Sequence, residues 1–278
     1  MTDMSFADIV KTAGSLMRGE RDDVSSTIYD YIESGGYDKD WSDERVPGYH
    51  PSSMFFLCPR QELLKKQIPK ITQPRFDLTM LLKFNHGHAL HYWFQHRLLG
   101  PTGLIIGEWA CLRCNDKTSG TMPSKCPCGA GRDCISFVER KIYREPFVGH
   151  IDGEIILSSG RALLELKSTN YYLNKIVEPL DYNVYQANIY MWATGIHQTL
   201  MVYISKPQSL RMKMFLVKFD QGMLDDALEK VEHSKVIRAM SDKEMRKANP
   251  ADSIGICASM GCFTASKCAW VNECFRGR

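Results

Sequence analysis

Several features typical of other protein classes are missing from this 278-residue chain. It has no run of 18 apolar residues, so we expect no membrane-spanning helix. Its N-terminus lacks a basic start followed by an apolar block, so we expect no secretory signal and an intracellular, cytoplasmic protein. No Gly-x-x-x-x-Gly-Lys-Ser/Thr loop occurs, which argues against ATP use. The net charge of +3 does not by itself indicate nucleic-acid binding, for which a local basic groove is sufficient.

Cysteine, in contrast, is abundant, with ten residues in three places. Cys58 stands alone, and the others lie between Cys111 and Cys134 and between Cys257 and Cys274. Disulfides are disfavoured in a reducing compartment, where clustered cysteines more often bind metal. The alternative is a set of buried free thiols, since cysteine also behaves as a small hydrophobic residue.

Apolar periodicity and turn residues predict an α/β fold with a mixed central sheet and helices around it. Residues 1–50 are predicted to form an N-terminal helical segment, and residues 51–278 the main domain. Within the main domain the predicted helices cover residues 51–68, 77–99, 180–195 and 221–247, and the predicted strands lie in 137–169, 201–205 and 212–219. Ser52 or Ser53 is the predicted N-cap of the first helix, and Gly195 ends the third.

The stretch GHIDGEIILSSGRALLELKST carries the chemistry. It predicts a hairpin that turns at Ser158-Ser159-Gly160 and brings Asp152 beside Glu165. Side chains alternate along a strand, so Glu165 and Lys167 share a face. Two adjacent carboxylates favour a divalent cation between them, and Mg²⁺ with a phosphodiester substrate suits this set. The alternative is a hairpin of solvated charges, against which the surrounding leucines and isoleucines argue.

Asp, a turn and Glu-x-Lys resemble the PD-(D/E)xK nuclease superfamily, and most closely its RecB-like exonuclease branch, which includes the CRISPR-associated iron–sulfur exonucleases. Further segments match in the same chain order. They are SMFFLCPRQ around Cys58, a Gly-x-x-x-His motif from Gly87 to His91, a Gly-x-x-Asp segment from Gly149 to Asp152, Gln186-x-x-x-Tyr190 and the terminal cysteines. A compact chain with an inserted cysteine module also looks like phage-encoded recombination or DNA-processing nucleases.

This resemblance implies a restriction-endonuclease-like core and a role for each matched residue. The metal, Mg²⁺ or Mn²⁺, would be held by His91, Asp152, Glu165 and the backbone carbonyl of Leu166. Lys167 would serve the nucleophilic water, and Gln186 and Tyr190 would orient the DNA strand. From the residues alone, a lone helical histidine is more often polar surface or core. Gln186 and Tyr190 also fit an amphipathic helix with tyrosine at its rim.

The late cysteines, in the segment 257–274, imply a [4Fe–4S] cluster through the same resemblance. The branch uses one early and three late cysteines, with a late spacing of Cys-x₂-Cys-x₅-Cys. This chain keeps Cys268-x₅-Cys274 but has alanine at position 265. The preferred ligands are Cys58, Cys262, Cys268 and Cys274, with Cys257 as the alternative. Four thiolates suit Zn²⁺ equally well by ligand type, so the metal stays open.

The middle cysteines predict an inserted zinc ribbon over residues 108–135. Cys111-x₂-Cys114 is followed by Cys126-Pro-Cys128-Gly, and such knuckles bind Zn²⁺ without a large core. Because the second knuckle is irregular, Cys134 is an alternative ligand.

The leading hypothesis is a metal-dependent DNA exonuclease acting on single strands or duplex ends, with recombination or replication proteins as candidate partners. An alternative is a non-catalytic DNA-binding adaptor on a nuclease scaffold, or an end-trimming factor that depends on partners. The sequence leaves open the polarity of the exonuclease, its preference for DNA or RNA, and its oligomeric state.

Overall fold

The structure, a computed structural model, describes residues 47–68, 78–170, 172–206, 211–253, 255–257 and 268–275. Nearly all of the predicted N-terminal segment 1–50 lies outside these residues, as does Cys262. The elements below belong to the compact unit formed by Pro47–Arg75 and Lys83–Arg278, except residues 78–82 of one helix, which are assigned to the other unit. None of the described helices combines the length and apolarity that crossing a membrane requires.

Helices of very different length surround the sheet. They are α1 (Pro51–Met54), α2 (Pro59–Gln67), α3 (Leu78–Tyr92), α4 (Asp181–Thr194), α5 (Gln221–Ala239), α6 (Asp242–Lys247) and α7 (Val271–Phe275). A π-helical segment, Trp93–Leu99, continues α3 without a break. As predicted, α4 ends at Gly195, whose left-handed conformation (φ 74°) glycine adopts at little cost.

The strands form one large mixed sheet and one short ribbon. They are β1 (Ile105–Cys111), β2 (Lys117–Gly120), β3 (Ile135–Val138), β4 (Arg140–Arg144), β5 (Phe147–Ile151), β6 (Gly153–Leu157), β7 (Gly160–Thr169), β8 (Gln198–Ser205) and β9 (Met212–Lys218). The large sheet has the order β2-β1-β6-β7-β8-β9, with β3 on the far end of β1, and β4 pairs with β5. Within the large sheet, β7 and β8 are parallel and the other pairs antiparallel.

Both faces of this sheet are covered, which confirms the predicted α/β class with a mixed central sheet. Parallel neighbours need a crossover, and α4 supplies it between β7 and β8. Along β7, Leu164 and Leu166 pack with Phe94 of the π-helical segment, whereas Leu163 packs with Met191 of α4. Glu165 and Lys167 alternate with the leucines and therefore lie on the α4 face.

Two predicted helices are each divided in two, for local reasons. The prediction of one helix over 51–68 is wrong, because Pro59 begins α2 and holds Cys58 before it in an extended conformation. The helix predicted over 221–247 is divided at Ser241, which caps α6 in a reciprocal capping box with Glu244. The first division leaves Cys58 at the N-cap of α2 rather than in the interior of one long helix.

Strand β1 is shared by the main sheet and the middle cysteine module. It pairs with β6 at Ile105 and Ile106, and from Gly107 onward it pairs with β2 and β3 instead. Trp109, almost fully buried, packs edge-on against Phe137 at 5.0 Å between ring centroids. The module is thus an extension of the sheet edge.

Candidate active site and cysteine sites

The predicted hairpin is present and places the two acidic positions side by side. Strands β6 and β7 pair from Gly153 with Leu164 to Leu157 with Gly160, so Ser158 and Ser159 form the connection. Gly160 has a φ of 110°, a conformation that favours glycine. Continuing this register by one residue sets Asp152 opposite Glu165. Asp152 Oδ2 accepts a 2.6 Å hydrogen bond from the backbone N–H of Leu166, which fixes the carboxylate at the hairpin.

A cluster of three metal-ligand side chains forms around Asp152. His91 Nδ1 lies 3.4 Å from Asp152 Oδ1 and 3.9 Å from Glu139 Oε1. One ligand atom from each of the three residues lies within 4.8 Å of the other two. His91 can reach Asp152 because helix α3 packs closely on β7: a Cβ atom at Gly87 would lie 3.3 Å from Ser168 Oγ.

Glu139 is the residue that sequence reasoning missed. Gln95, buried on the π-helical segment, donates to Glu139 Oε1 at 3.3 Å and to the Asp152 carbonyl at 2.8 Å. The same amide therefore holds both acidic residues of the cluster. Glu139 immediately precedes β4 and opens the charged run Glu-Arg-Lys, and nothing in that run distinguishes it from a solvent-exposed acid.

Glu165 and Lys167 lie together beside the cluster, on the face that they were predicted to share. Lys167 Nζ is 2.7 Å from Glu165 Oε1 and donates to Gln186 Oε1 at 2.8 Å. Glu165 is not one of the three residues whose ligand atoms lie within 4.8 Å of each other. Its predicted role as a metal ligand, and that of the Leu166 carbonyl, therefore stay predictions.

Gln186 and Tyr190 of α4 support Lys167 from behind. Burial raises the pKa of Tyr190, while the Gln186 side chain and the backbone of His150 next to its hydroxyl act in the opposite direction. Tyr190 is 5% exposed, and a Cβ atom at Gly149 would lie only 2.5 Å from its hydroxyl oxygen. Gln186 thus connects Lys167 to a buried tyrosine, while its predicted contact with a DNA strand remains a prediction.

The electrostatics of the site shift the pKa values of Asp152 and Glu165 in opposite directions. Burial opposes ionisation of Asp152, but the neighbouring His91 outweighs it and holds the pKa of Asp152 below its usual range. Burial also disfavours the charged form of His91, yet the Asp152 carboxylate raises the pKa of His91 to about 10. For Glu165 burial exceeds the attraction of Lys167 and raises its pKa to about 7. Burial disfavours protonated Lys167 too, but Glu165 outweighs it and raises the pKa of Lys167.

The middle cysteines converge on one point. Cys111 Sγ lies 3.7 Å from Cys128 Sγ, and Cys114 Sγ lies 3.5 Å from Cys126 Sγ. All four sulfurs lie within 4.8 Å of one another. Backbone N–H groups of Arg113 and Cys114 point at the Cys111 sulfur and lower the pKa of that thiol to about 7. Cys134, the alternative ligand, packs against this quartet and is not one of the four.

The C-terminal cysteines line a different kind of site, a cavity of about 120 Å³. Cys58, Cys257, Cys268 and Cys274 all border it. Gln61 donates to Cys268 Sγ at 3.3 Å, and Arg60 Nη1 lies 3.9 Å from Cys274 Sγ.

Arg60 is 7% exposed, and in the described part of the chain it forms no ion pair with a carboxylate. Its guanidinium donates instead to the backbone carbonyls of Pro250, Ala251 and Ser253.

Comparisons with known proteins find a likeness in fold only. No protein-family model matches the chain, and no curated protein matches it. Among solved structures, the alkaline exonuclease LHK-Exo from Laribacter hongkongensis is 15% identical with a TM-score of 0.42, covering 76% of this chain and 100% of that one. Its complex with dAMP gives 16% identity, a TM-score of 0.41 and the same coverage. A phage-related exonuclease from Haemophilus somnus 129PT is 13% identical with a TM-score of 0.42, covering 70% of this chain and 96% of that one.

Proposed function

We propose that this chain is a metal-dependent DNA exonuclease that hydrolyses phosphodiester bonds on single strands or at duplex ends. The observation that carries the proposal is the convergence of His91, Glu139 and Asp152 beside the Glu165–Lys167 pair. A metal-ligand cluster next to a positioned ammonium group is an arrangement that can promote phosphodiester hydrolysis.

The donor set fits a hard divalent cation. Two carboxylates and one imidazole nitrogen within 4.8 Å of each other suit Mn²⁺ or Mg²⁺, which take oxygen ligands and keep several waters. When bound, such an ion lowers the pKa of water and neutralises charge on the scissile phosphate. His91, Glu139 and Asp152 would hold it, and the Leu166 N–H and the Gln95 amide keep the two carboxylates in place.

Lys167 supplies the donor that faces the phosphate. An ammonium group has three N–H donors, and Glu165 and Gln186 accept two of them. The third is left for a phosphate oxygen or the attacking water, because the Lys167 side chain also borders an open cavity. Glu165 anchors the lysine and lies opposite Asp152 in the continued hairpin register, and we propose that it joins the metal shell when that shell fills.

A degradation assay with labelled DNA tests the proposal. We expect wild-type protein to release nucleotides from linear single strands with Mg²⁺ or Mn²⁺ and to leave circular single strands intact. Asp152→Ala and Lys167→Ala should each lose at least about 10³-fold in rate. Glu139→Gln should lose activity in Mg²⁺, while the exposed Glu229→Gln serves as the matched control. Equal activity of wild type and Asp152→Ala would overturn the assignment.

We further propose a [4Fe–4S] cluster in the C-terminal cavity, held by Cys58, Cys257, Cys268 and Cys274. Zinc requires thiolate sulfurs about 3.8 Å apart, whereas the cysteines of a [4Fe–4S] cluster stand roughly 6 Å apart around it. Among described residues, the middle quartet is the only cysteine group with three or more sulfurs within 4.8 Å. Cys58, Cys257, Cys268 and Cys274 do not form such a group in the described residues, and the donors from Arg60 and Gln61 suit the sulfurs of a cluster.

Spectra and metal analysis distinguish the two cysteine sites. We expect iron with absorption near about 400 nm, together with one zinc ion at Cys111, Cys114, Cys126 and Cys128. Cys257→Ser should lose the iron, whereas Cys262→Ser should keep it. A colourless protein carrying two zinc ions would contradict the cluster, and iron loss in Cys262→Ser alone would assign the fourth ligand to Cys262.

A further inference from the structure

A second cavity, of about 340 Å³, opens beside Lys167. Phe56, from the turn that follows α1, and Tyr182, from the first turn of α4, form its apolar walls. Lys167 is on its border with 23% of its side chain exposed, so the residue assigned to the phosphate lines this space. The volume is near the lower end of ligand sites, about 300 Å³ and above, and suits a small planar group.

The two aromatic rings are held as a pair. The centroids of Phe56 and Tyr182 lie 5.8 Å apart with their planes tilted by 40°. Phe55 packs edge-on against both rings, at 5.1 Å from Phe56 and 6.3 Å from Tyr182. Because both rings are only half-buried, they present apolar surface to the cavity in a fixed orientation.

The remaining wall is polar and lacks negative charge. Ser168, Asn183 and Gln186 line most of it together with Lys167, while Leu180 and Tyr203 add apolar surface, and none of the described lining residues carries a carboxylate. A polyanionic strand therefore meets one cation and neutral hydrogen-bonding groups here. This is the combination of aromatic platform and basic group by which proteins seat single-stranded nucleic acid.

We propose that this cavity is a subsite for one unpaired nucleotide next to the scissile bond. Its base stacks on Tyr182 and Phe56, and its phosphate points toward Lys167. The inference rests on the proposed nuclease function and adds the requirement that the strand be single where it is bound. A nucleotide inside a duplex has both faces of its base covered by its stacked neighbours, so it must be unstacked before it can contact the rings, and duplex ends must fray before cleavage.

Binding of single-stranded oligonucleotides, with Ca²⁺ in place of Mg²⁺ to prevent cleavage, tests the subsite. We expect one position at which an abasic nucleotide weakens binding to wild-type protein about tenfold, and at which 2-aminopurine fluorescence is quenched. Tyr182→Leu and Phe56→Leu should weaken binding of the intact strand about tenfold and remove the quenching. Tyr143→Leu, at a tyrosine that is 65% exposed and is not among the residues that line the cavity, is the matched control.

The decisive comparison combines the abasic nucleotide with the Tyr182→Leu substitution. If the base stacks on Tyr182, an abasic nucleotide at this position should not weaken binding to the Tyr182→Leu variant any further, because both changes remove the same contact. Additive losses, or equal losses at every position, would overturn the subsite even if the protein degrades DNA. If wild-type protein shows the non-additive binding but hydrolyses no DNA in Mg²⁺ or Mn²⁺, the nuclease function fails and the subsite stands. Absence of single-strand binding also overturns the subsite.

Discussion

In the middle module, sulfurs from two short knuckles already lie 3.5–3.7 Å apart, whereas the cysteines around the C-terminal cavity come from opposite ends of the domain. Each knuckle is closed by its own turns, such as the 2.8 Å bond from Asn115 N–H to the Cys111 carbonyl. The C-terminal site instead needs Cys58 at the start of α2 and Cys274 in α7, which only tertiary packing brings together. The first site depends on local chain geometry, and the second should in turn hold the domain together.

Removing a C-terminal ligand should have the largest effect on stability. Cys274→Ser breaks a connection between segments about 200 residues apart, so the unfolded chain gains the entropy of a long loop. We expect the free energy of unfolding to fall by about 3–5 kcal/mol, measured by guanidinium denaturation. Cys134→Ser is the control, because Cys134 is outside both proposed ligand sets. If the free energy of unfolding falls no further than in the control, the C-terminal site does not stabilise the domain.

Arg60 should contribute less, yet measurably, to the same site. Lysine keeps the charge in Arg60→Lys but cannot reach three backbone carbonyls and Cys274 at once. We expect a loss of about 1–3 kcal/mol in unfolding free energy and a lower iron content. Arg132→Lys, at an exposed position in the middle module, should leave both unchanged. Unchanged iron content in Arg60→Lys would show that the guanidinium serves the loop alone.

Removing a knuckle ligand should have a local effect. Cys114→Ser should abolish zinc binding and the protection of the β2 amides from hydrogen exchange. The global unfolding midpoint should move less than for Cys274→Ser, because β1 remains paired with β6. Hydrogen exchange with zinc analysis measures this directly. If the midpoint falls as far as in Cys274→Ser, the distinction between a local and a global site is wrong.

The smallest expected effect concerns DNA binding. Phe56 lines both the cysteine cavity and the cavity beside Lys167, so the first site supports one wall of the second. Iron removal should weaken single-strand binding about threefold, since part of the stacking contact is lost. Zinc removal through Cys114→Ser should leave binding within experimental error. Fluorescence anisotropy in Ca²⁺ measures single-strand affinity after iron removal and in Cys114→Ser. Equal losses of affinity would show that Phe56 does not link the cysteine cavity to DNA binding.

The parts of the site that are close in sequence were predicted well. The hairpin from Asp152 to Lys167 needed only strand alternation and a turn at Ser158-Ser159-Gly160, and the structure contains both. The helix that ends at Gly195 was likewise predictable from one glycine. The divisions at Pro59 and Ser241 were missed although their signals, a proline and a capping box, are equally local.

Glu139 shows why the remainder was not predictable. It follows β3 directly, and it reaches Asp152 and His91 only through the pairing of β4 with β5 and the packing of α3 on the sheet. Its hydrogen bond to Gln95 joins residues that are 44 positions apart. Over such a separation, the pattern of charged residues in the sequence does not show which side chains meet in the fold. The position of Cys257 at the cavity of Cys58 has the same character, because lining a shared cavity is a property of the folded chain.

The sequence by itself determined which chemistry is present: a carboxylate hairpin with its lysine, two knuckles, and a surplus of late cysteines. These follow from residue type and from periods of two or four residues, which backbone geometry alone enforces. Only the tertiary structure decided that Glu139 joins His91 and Asp152, that Cys257 borders the cavity of Cys58, and that Phe56 stands between two cavities. The physical reason is that such contacts depend on how distant helices and strands bury their apolar faces against one another.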